Sequence, residues 1–487
     1  NGTALSTAPE ITATASGSIA DQAAVYVKSD GNVEAITTVS PGGTITSASG
    51  MGWSKLYGMT FDHVQNRVVV WYKADTTDYL RLRVGTPSGT GPGFSISWGA
   101  ETTVQASAIE SCKVCYLRGS NRHVAVWKRT GQHVRGRVIE VKTDGTVSIG
   151  DEMASTGSMS QVHALEECSD DGTKVFVMYE KSNEDYDCNR MEVTASTNTL
   201  AMDDGYKANI SSYNIYSASS DYIGNNYVVV SYFYHQSGST WKQAIQFFNC
   251  ASSVVSVKSR YDVVSTGNPN RANICYNPDT ERIILMYRIG EGNDNVLYYQ
   301  NYKINTSIYY AQSAQSETVI TDSSSALKHL SDNGLGLVYD KDEKHIYGIY
   351  KEGSDTKWIK FTTTAGQDSA SAGTPVVVDD STTGDHNDFV YDENAKTSYW
   401  LSSNPDNYSN VGNAYHTATN MGADNFIGFA EGAFTNGQTA TIKVVGNTAT
   451  KSSLTPGKKY YVQQNGSLGL TAANPSVEAG VAVSSTK

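Results

Sequence analysis

Short apolar runs bounded by turn-forming residues fill most of the chain, and they come in two textures. Runs such as Val68-Val69-Val70-Trp71-Tyr72, Val228-Val229-Val230 and Ile283-Ile284-Leu285-Met286-Tyr287 are apolar at every position. Such runs predict strands covered on both faces. Stretches such as Leu80-Arg81-Leu82-Arg83-Val84 alternate, which predicts strands with one solvated face.

These strands recur in a fixed frame. An aromatic residue followed by Asp or Asn opens a turn, a basic residue follows about five positions on, and an apolar strand then runs toward a Tyr. Four copies are plain: Phe61-Asp62 to Arg67, Tyr276-Asn277 to Arg282, Tyr339-Asp340 to Lys344 and Tyr391-Asp392 to Lys396. Three weaker copies complete the series, with strands at Val124 to Lys128, Val175 to Tyr179 and Val228 to Tyr232. The aligned strand ends are Tyr72, Lys128, Tyr179, Tyr232, Tyr287, Tyr350 and Leu401. Seven units at a period of roughly 50 residues predict an all-β fold, a seven-bladed β-propeller with four-stranded blades. The turn Asp or Asn is expected to accept hydrogen bonds from backbone two residues on, a structural role.

From about Asn425 the repeat stops and Ala, Gly, Thr and Val dominate. The expected organisation is an N-terminal β segment over 1–48, the propeller over 49–424 and a small C-terminal β module over 425–487. The segment Val25 to Val33 has the strand, Asp-Gly turn, strand form of Ile139 to Val147, and Lys459 to Leu468 has it too. The N-terminal hairpin therefore either supplies outer strands to the last blade or pairs with the C-terminal module.

Composition agrees with this and narrows function. Charged residues are 18% and Gly is abundant at 43, while long Ala, Leu, Glu and Lys stretches are missing, which disfavours helices. With 49 acidic and 37 basic residues the net charge is −12, so no nucleic-acid partner is expected. The basic residues Arg118, Arg122, Lys128, Arg129, Arg135 and Arg137 read as a solvated sheet face. No apolar run approaches the roughly 18 residues that span a bilayer, so no membrane insertion is expected, and no signal-peptide pattern opens the chain. The first residue is Asn, which marks a processed product, a fragment or part of something longer. Cys112 and Cys115 form a CxxC on an alternating strand, which points them to opposite sheet faces, and no second ligand pair accompanies them. The six cysteines are expected as unpaired structural thiols.

Candidate chemistry lies in the loops after each apolar strand. Tyr79, Tyr186, His235, Trp241, Trp358 and Tyr408 sit in or beside these loops, with Asp185, Asp294 and Asp406 among their acids. Aromatic faces beside carboxylates suit sugar binding, the ring stacking on C–H faces and the acids accepting hydroxyl hydrogen bonds. Asn183 to Asp187 and Glu291 to Asn295 offer oxygen ligands for at most a weak calcium site, and no other cofactor is expected. There is no HExxH, GxxxxGK[ST] or GxSxG motif. Ser169-Asp170-Asp171-Gly172-Thr173 falls one residue short of the sialidase-type turn. No catalytic residue is assigned and the chain is not expected to be an enzyme.

Asn425-Phe426-Ile427-Gly428-Phe429-Ala430, followed by Leu454-Thr455-Pro456-Gly457-Lys458-Lys459-Tyr460-Tyr461-Val462, resembles a segment of structural and tail-fibre proteins of marine cyanophages. Gly17-Ser18-Ile19-Ala20-Asp21 with Val27 to Gly31 resembles the lead-in of such proteins. The resemblance implies a virion location on tail or capsid surface, other virion proteins as partners, homo-oligomers and a part in attachment to a host glycan or receptor. The alternatives are a purely architectural virion protein and, behind it, a glycan-degrading enzyme.

Overall fold

A strand that is apolar at every position needs cover on both faces, and radial stacking of sheets supplies it. In the computed structural model the chain forms seven antiparallel sheets in sequence order, each with its first strand innermost. The structure describes the chain except residues 1–8, 29, 40, 49–52, 75–76, 90–93, 130–132, 156–159, 182–184, 203–207, 212–213, 237–239, 264–268, 291–295, 314, 322–334, 381–387, 396, 405–407, 416–417, 423–424 and 474–475. The described residues contain no helix. The fold is a seven-bladed β-propeller with a small β unit.

The inner strands are Trp53–Asp62, Ile109–Leu117, Gln161–Glu167, Asn214–Tyr222, Pro269–Asn277, Leu335–Asp340 and Asp388–Asp392, for blades 1 to 7. The second strands are Arg67–Ala74, Arg122–Arg129, Lys174–Glu180, Tyr227–Gln236, Arg282–Ile289, His345–Glu352 and Thr397–Asn404. Every copy of the repeat is thus the inner-to-second-strand corner of one blade. In blades 1 to 6 the outer strand is broken in two, both halves pairing with the third strand, as Val147–Ile149 and Met153–Ala154 do with His133–Val141.

Seven buried clusters fill the seven blade interfaces, and second strands feed two each. Val68, Val70 and Tyr72 pack against Tyr399, Leu401 and Val411 of blade 7. Val69 and Trp71, between them in sequence, pack against Ala125, Trp127 and Ile139 of blade 2. Cys112 and Cys115 fall in different clusters, on opposite faces of blade 2. All six cysteines are buried and none forms a disulfide.

The repeated aromatic-Asp pair has two separable functions. The Asp or Asn caps its own turn: Asp62 Oδ1 accepts from the Val64 and Gln65 N–H groups at 3.0 and 2.8 Å. Asn277, Asp340 and Asp392 repeat the geometry. The preceding Tyr, or an equivalent one, reaches back to the turn of the previous blade. Tyr391 donates to Asp342 at 2.9 Å, Tyr222 to Asp170 at 2.7 Å and Tyr339 to Asp279, while Tyr116 lies 3.4 Å from Asp62. Blade 4 has no acid in its turn, Ile223-Gly224-Asn225-Asn226, and the Tyr276 hydroxyl of blade 5 has no such bond. One interface carries more: Trp71 Nε1 donates to Thr60 Oγ1 at 3.0 Å, which bonds His123 Nδ1 at 3.0 Å, with His123 Nε2 3.6 Å from Asp62.

The ring closes on an N-terminal strand, but not on the hairpin that resembled an outer one. Gly42–Ala48 lies beside Tyr408–Tyr415 as the outer strand of blade 7. A Cβ on Gly43 would stand 2.5 Å from Val378 Cβ and 2.9 Å from the Asn413 carbonyl, so this edge approaches too closely for a side chain.

The hairpin Ala24–Val27 to Val33–Ala35 instead extends the C-terminal sheet, Ala24–Val27 pairing with Phe426–Ala430. The contacts divide the chain into Asn1–Gly42 with Tyr415–Lys487, and Gly43–Ala414, so the terminal segments form one unit rather than two. Its five-stranded sheet runs Glu10–Thr14, Thr439–Lys443, Phe426–Ala430, Ala24–Val27, Val33–Ala35 over a core of Ala15, Ile19, Val25, Val33, Ala430, Ala440 and Ile442. A second sheet of Leu468–Gly469, Lys459–Val462 and Val477–Val481 joins through Phe429, Val462 and Val477.

Candidate ligand-binding surfaces of the propeller

An antiparallel blade gives the ring two distinct faces. The hairpin tips joining second to third strands share one face with the links that enter each inner strand. The turns joining inner to second strands lie on the other.

Among the described residues, those singled out in the sequence do not all gather on the tip face. Tyr186 is buried, its hydroxyl donating to the Ile215 carbonyl at 3.0 Å between blades 3 and 4. Trp358 is buried against Tyr347, with ring centroids 5.3 Å apart, in the core between blades 6 and 7. Both are packing residues. Tyr79 is half-buried in the tip of blade 1, where its carbonyl accepts from the Ala74 N–H at 3.1 Å. Asp185 is half-buried beside the third strand of blade 3. Tyr408 begins a strand of blade 7, while Asp294 and Asp406 lie outside the described residues, as do Asn183 and Glu184 of one proposed calcium segment and all of the other.

His235 and Trp241 do come together, across the hairpin tip of blade 4. Trp241 stacks on Phe233 at 4.7 Å and 19°, and its centroid lies 4.6 Å from His235 and 4.9 Å from Tyr216. Tyr216 was not foreseen. It is the extra residue where the register of the inner strand shifts between Ile215 and Ser217, and the bulge leaves it 49% exposed. Buried Phe233 backs the group, so the exposed Tyr216 and half-buried Trp241 form an aromatic ledge held from behind.

The second surface is the central channel, a cavity of about 690 Å³ lined by the inner strands. Inner strands of adjacent blades do not pair, so side chains of one blade satisfy backbone groups of the next. Asp388 Oδ2 accepts from the Met59 N–H and Asp221 Oδ2 from the Tyr276 N–H, each at 2.6 Å. Ser219 Oγ takes the Ile274 N–H at 3.3 Å, and Asn273 donates to the Leu335 carbonyl at 3.1 Å.

At the position before each turn, six blades carry an aromatic residue, Phe61, Tyr116, Tyr222, Tyr276, Tyr339 and Tyr391, whereas blade 3 carries Glu167; Glu166 and Asp221 stand one position earlier in blades 3 and 4. Aligning the repeats on their turns exposes this departure in sequence. Burial pushes the Asp221 carboxyl up to about 6 against the Tyr276 N–H bond that stabilises its anion. Burial, then the Asp221 charge, pushes Glu166 well above the carboxylate range. Neighbouring Glu167 is pushed up to about 7 by burial, against N–H groups of Arg118 and Gly119.

The basic stretch of blade 2 is matched by acids, Arg122 to Glu140 at 3.2 Å, Arg135 to Glu152 at 3.0 Å and Lys128 to Glu110. Arg118 differs, because it reaches over the turn-side mouth of the channel to Glu393 of blade 7 at 3.2 Å. Among the described residues no group of three His, Cys, Asp or Glu side chains is arranged to hold a metal ion.

Comparison with solved structures confirms the fold. The BP39L lectin from Burkholderia pseudomallei superposes with a TM-score of 0.54 at 8% identity, over 77% of this chain and 99% of the lectin. A Bacteroides uniformis protein described as a 6-phosphogluconolactonase candidate gives 0.48 at 10% identity, over 75% and 98%. At such identities the likeness extends to the propeller alone. No protein-family model matches the chain. No curated protein matches it in sequence.

Proposed function

We propose that the protein is a bacteriophage virion component whose propeller binds a glycan on the host surface. The observation that carries the binding half is the ledge of Tyr216 and Trp241, backed by Phe233 and His235. An exposed, rigidly held aromatic face costs little ordering entropy and stacks on the C–H face of a pyranose. A propeller named a lectin has the same fold, so the architecture accommodates sugar recognition, though the proposal rests on the ledge. The virion half rests on the resemblance of both terminal segments to cyanophage structural proteins.

The test is binding of labelled protein to marine cyanobacterial cells and to their extracted surface polysaccharide, for the wild type, Tyr216→Ala and Trp241→Ala. Saturable binding that falls at least tenfold in both variants, with unchanged circular dichroism, is expected. No binding to any cell or polysaccharide would assign the protein to an architectural role. Release of reducing sugar from the polysaccharide would favour a degrading enzyme.

A further inference from the structure

The turn-side mouth of the channel holds a charge arrangement that the fold does not require. Arg118 of blade 2 and the Lys341 ammonium of blade 6 both engage one oxygen, Glu393 Oε2 of blade 7. His63 of blade 1 faces the other carboxylate oxygen at 3.5 Å, and its carbonyl is fixed by Asn394 Nδ2 at 3.0 Å. Burial, reinforced by Arg118, holds the His63 pKa down to about 4, so the ring is neutral at pH 7. Burial works to raise the Glu393 carboxyl, but the Lys341 and Arg118 cations outweigh it and hold it low. Within this trio two cations share one anion, an excess of one positive charge. Arg118 and Lys341 are 54% and 51% exposed, so donors of both remain open to the mouth.

Behind this charge lies a cavity within the size range of small-molecule sites. Ser219, Asn273, Asp221 and Glu166 give its wall hydrogen-bonding groups rather than a greasy surface. A single negative head followed by a hydroxyl-rich body matches both parts. We propose that this mouth binds a small carboxylated sugar, its carboxylate bridging Arg118 and Lys341 and its hydroxyls entering the channel. The site lies on the face opposite the blade 4 ledge and stands or falls independently of it.

The test is calorimetric titration with D-glucuronate, D-glucose and inorganic phosphate. Glucuronate is expected to bind at least tenfold more tightly than either of the others. Arg118→Gln and Lys341→Gln should each weaken it about tenfold, or about 1.4 kcal/mol, the scale of one charge-assisted hydrogen bond. Trp241→Ala should leave it unchanged. Glucose or phosphate binding as well as glucuronate would overturn the proposal, as would wild-type affinity in Lys341→Gln, a half-exposed position whose replacement leaves the core intact.

Discussion

Removing the Tyr391 hydroxyl tests whether the tyrosine latches hold neighbouring blades together. Tyr391→Phe keeps the ring, which is 5% exposed and packs between blades 6 and 7. It deletes the 2.9 Å bond to Asp342 of the preceding turn. A hydrogen bond to a charged group contributes about 1.5–3 kcal/mol. Asp342 is exposed and can rehydrate, and buried Asp340, which the same hydroxyl also approaches, keeps its two backbone N–H donors, which places the loss near the lower figure, about 1.5 kcal/mol. Tyr276→Phe is the internal control, since the blade before it offers its hydroxyl no turn acid, and its cost should stay within about 0.5 kcal/mol. In urea, with m above about 3 kcal/mol/M for a chain of this length, the Tyr391→Phe midpoint should fall by up to about 0.5 M. Equal midpoints for the two variants would refute the latch.

Three further outcomes are expected. Burial pushes Glu167 up to about 7 in the fold from its ordinary value of 4.5, so the native state binds the extra proton and stability falls as pH rises between these values. The full effect is about 3 kcal/mol. Buried His63, held at about 4, acts oppositely below pH 6.5, so urea midpoints between pH 6.5 and 8 leave the histidine out and report the raised carboxyls, Glu167 with its neighbours Glu166 and Asp221: Glu167 should account for a loss of about 1 kcal/mol there, Glu167→Gln should lose that much less than the wild type, and equal slopes would exclude Glu167 as a source. A Cβ at Gly412 would collide with the fully buried Trp400 indole; Gly412→Ala should cost about 1–3 kcal/mol by overpacking, and an unchanged melting temperature would contradict that packing. Gly43→Val should prise the closing strand from blade 7 and appear as protease cleavage in Gly42–Ala48; unchanged resistance would mean that this strand does not hold the ring shut.

The blade count was legible because geometry forces it into sequence. A second strand sandwiched between two neighbours is apolar at every position, as Val68 to Tyr72 and Ile283 to Tyr287 are, and the corner before it needs an Asp or Asn to accept backbone N–H groups. The closing strand escaped notice because an outer strand has only one packed face, and Gly42-Gly43-Thr44-Ile45-Thr46 carries no such run. The N-terminal hairpin was ambiguous for a different reason. Its Asp30-Gly31 turn, Asp144-Gly145 in blade 2 and Asn465-Gly466 in the terminal unit share one geometry, each Gly with φ near +80° and each Asp or Asn accepting from the N–H two residues on. Local form fixes the turn and says nothing of which sheet the hairpin joins.

The same limit governs the candidate sites. Periodicity identifies which residues occupy or flank a hairpin tip but not which way they face: His235 and Trp241 meet across the tip of blade 4, whereas Tyr186 and Trp358, beside their own tips, face the blade interfaces. Tyr216 depended on one extra residue in a strand, which no hydrophobic pattern reports. What the repeat does expose is departure from itself. Six blades place an aromatic ring before the turn and blade 3 places Glu167 there, and Arg118 leaves its own blade for an acid on blade 7. Seven copies of one structural solution make each exception a position where packing alone did not choose the residue. That is the physical ground for placing a ligand at the channel mouth, on the face where the exceptions gather.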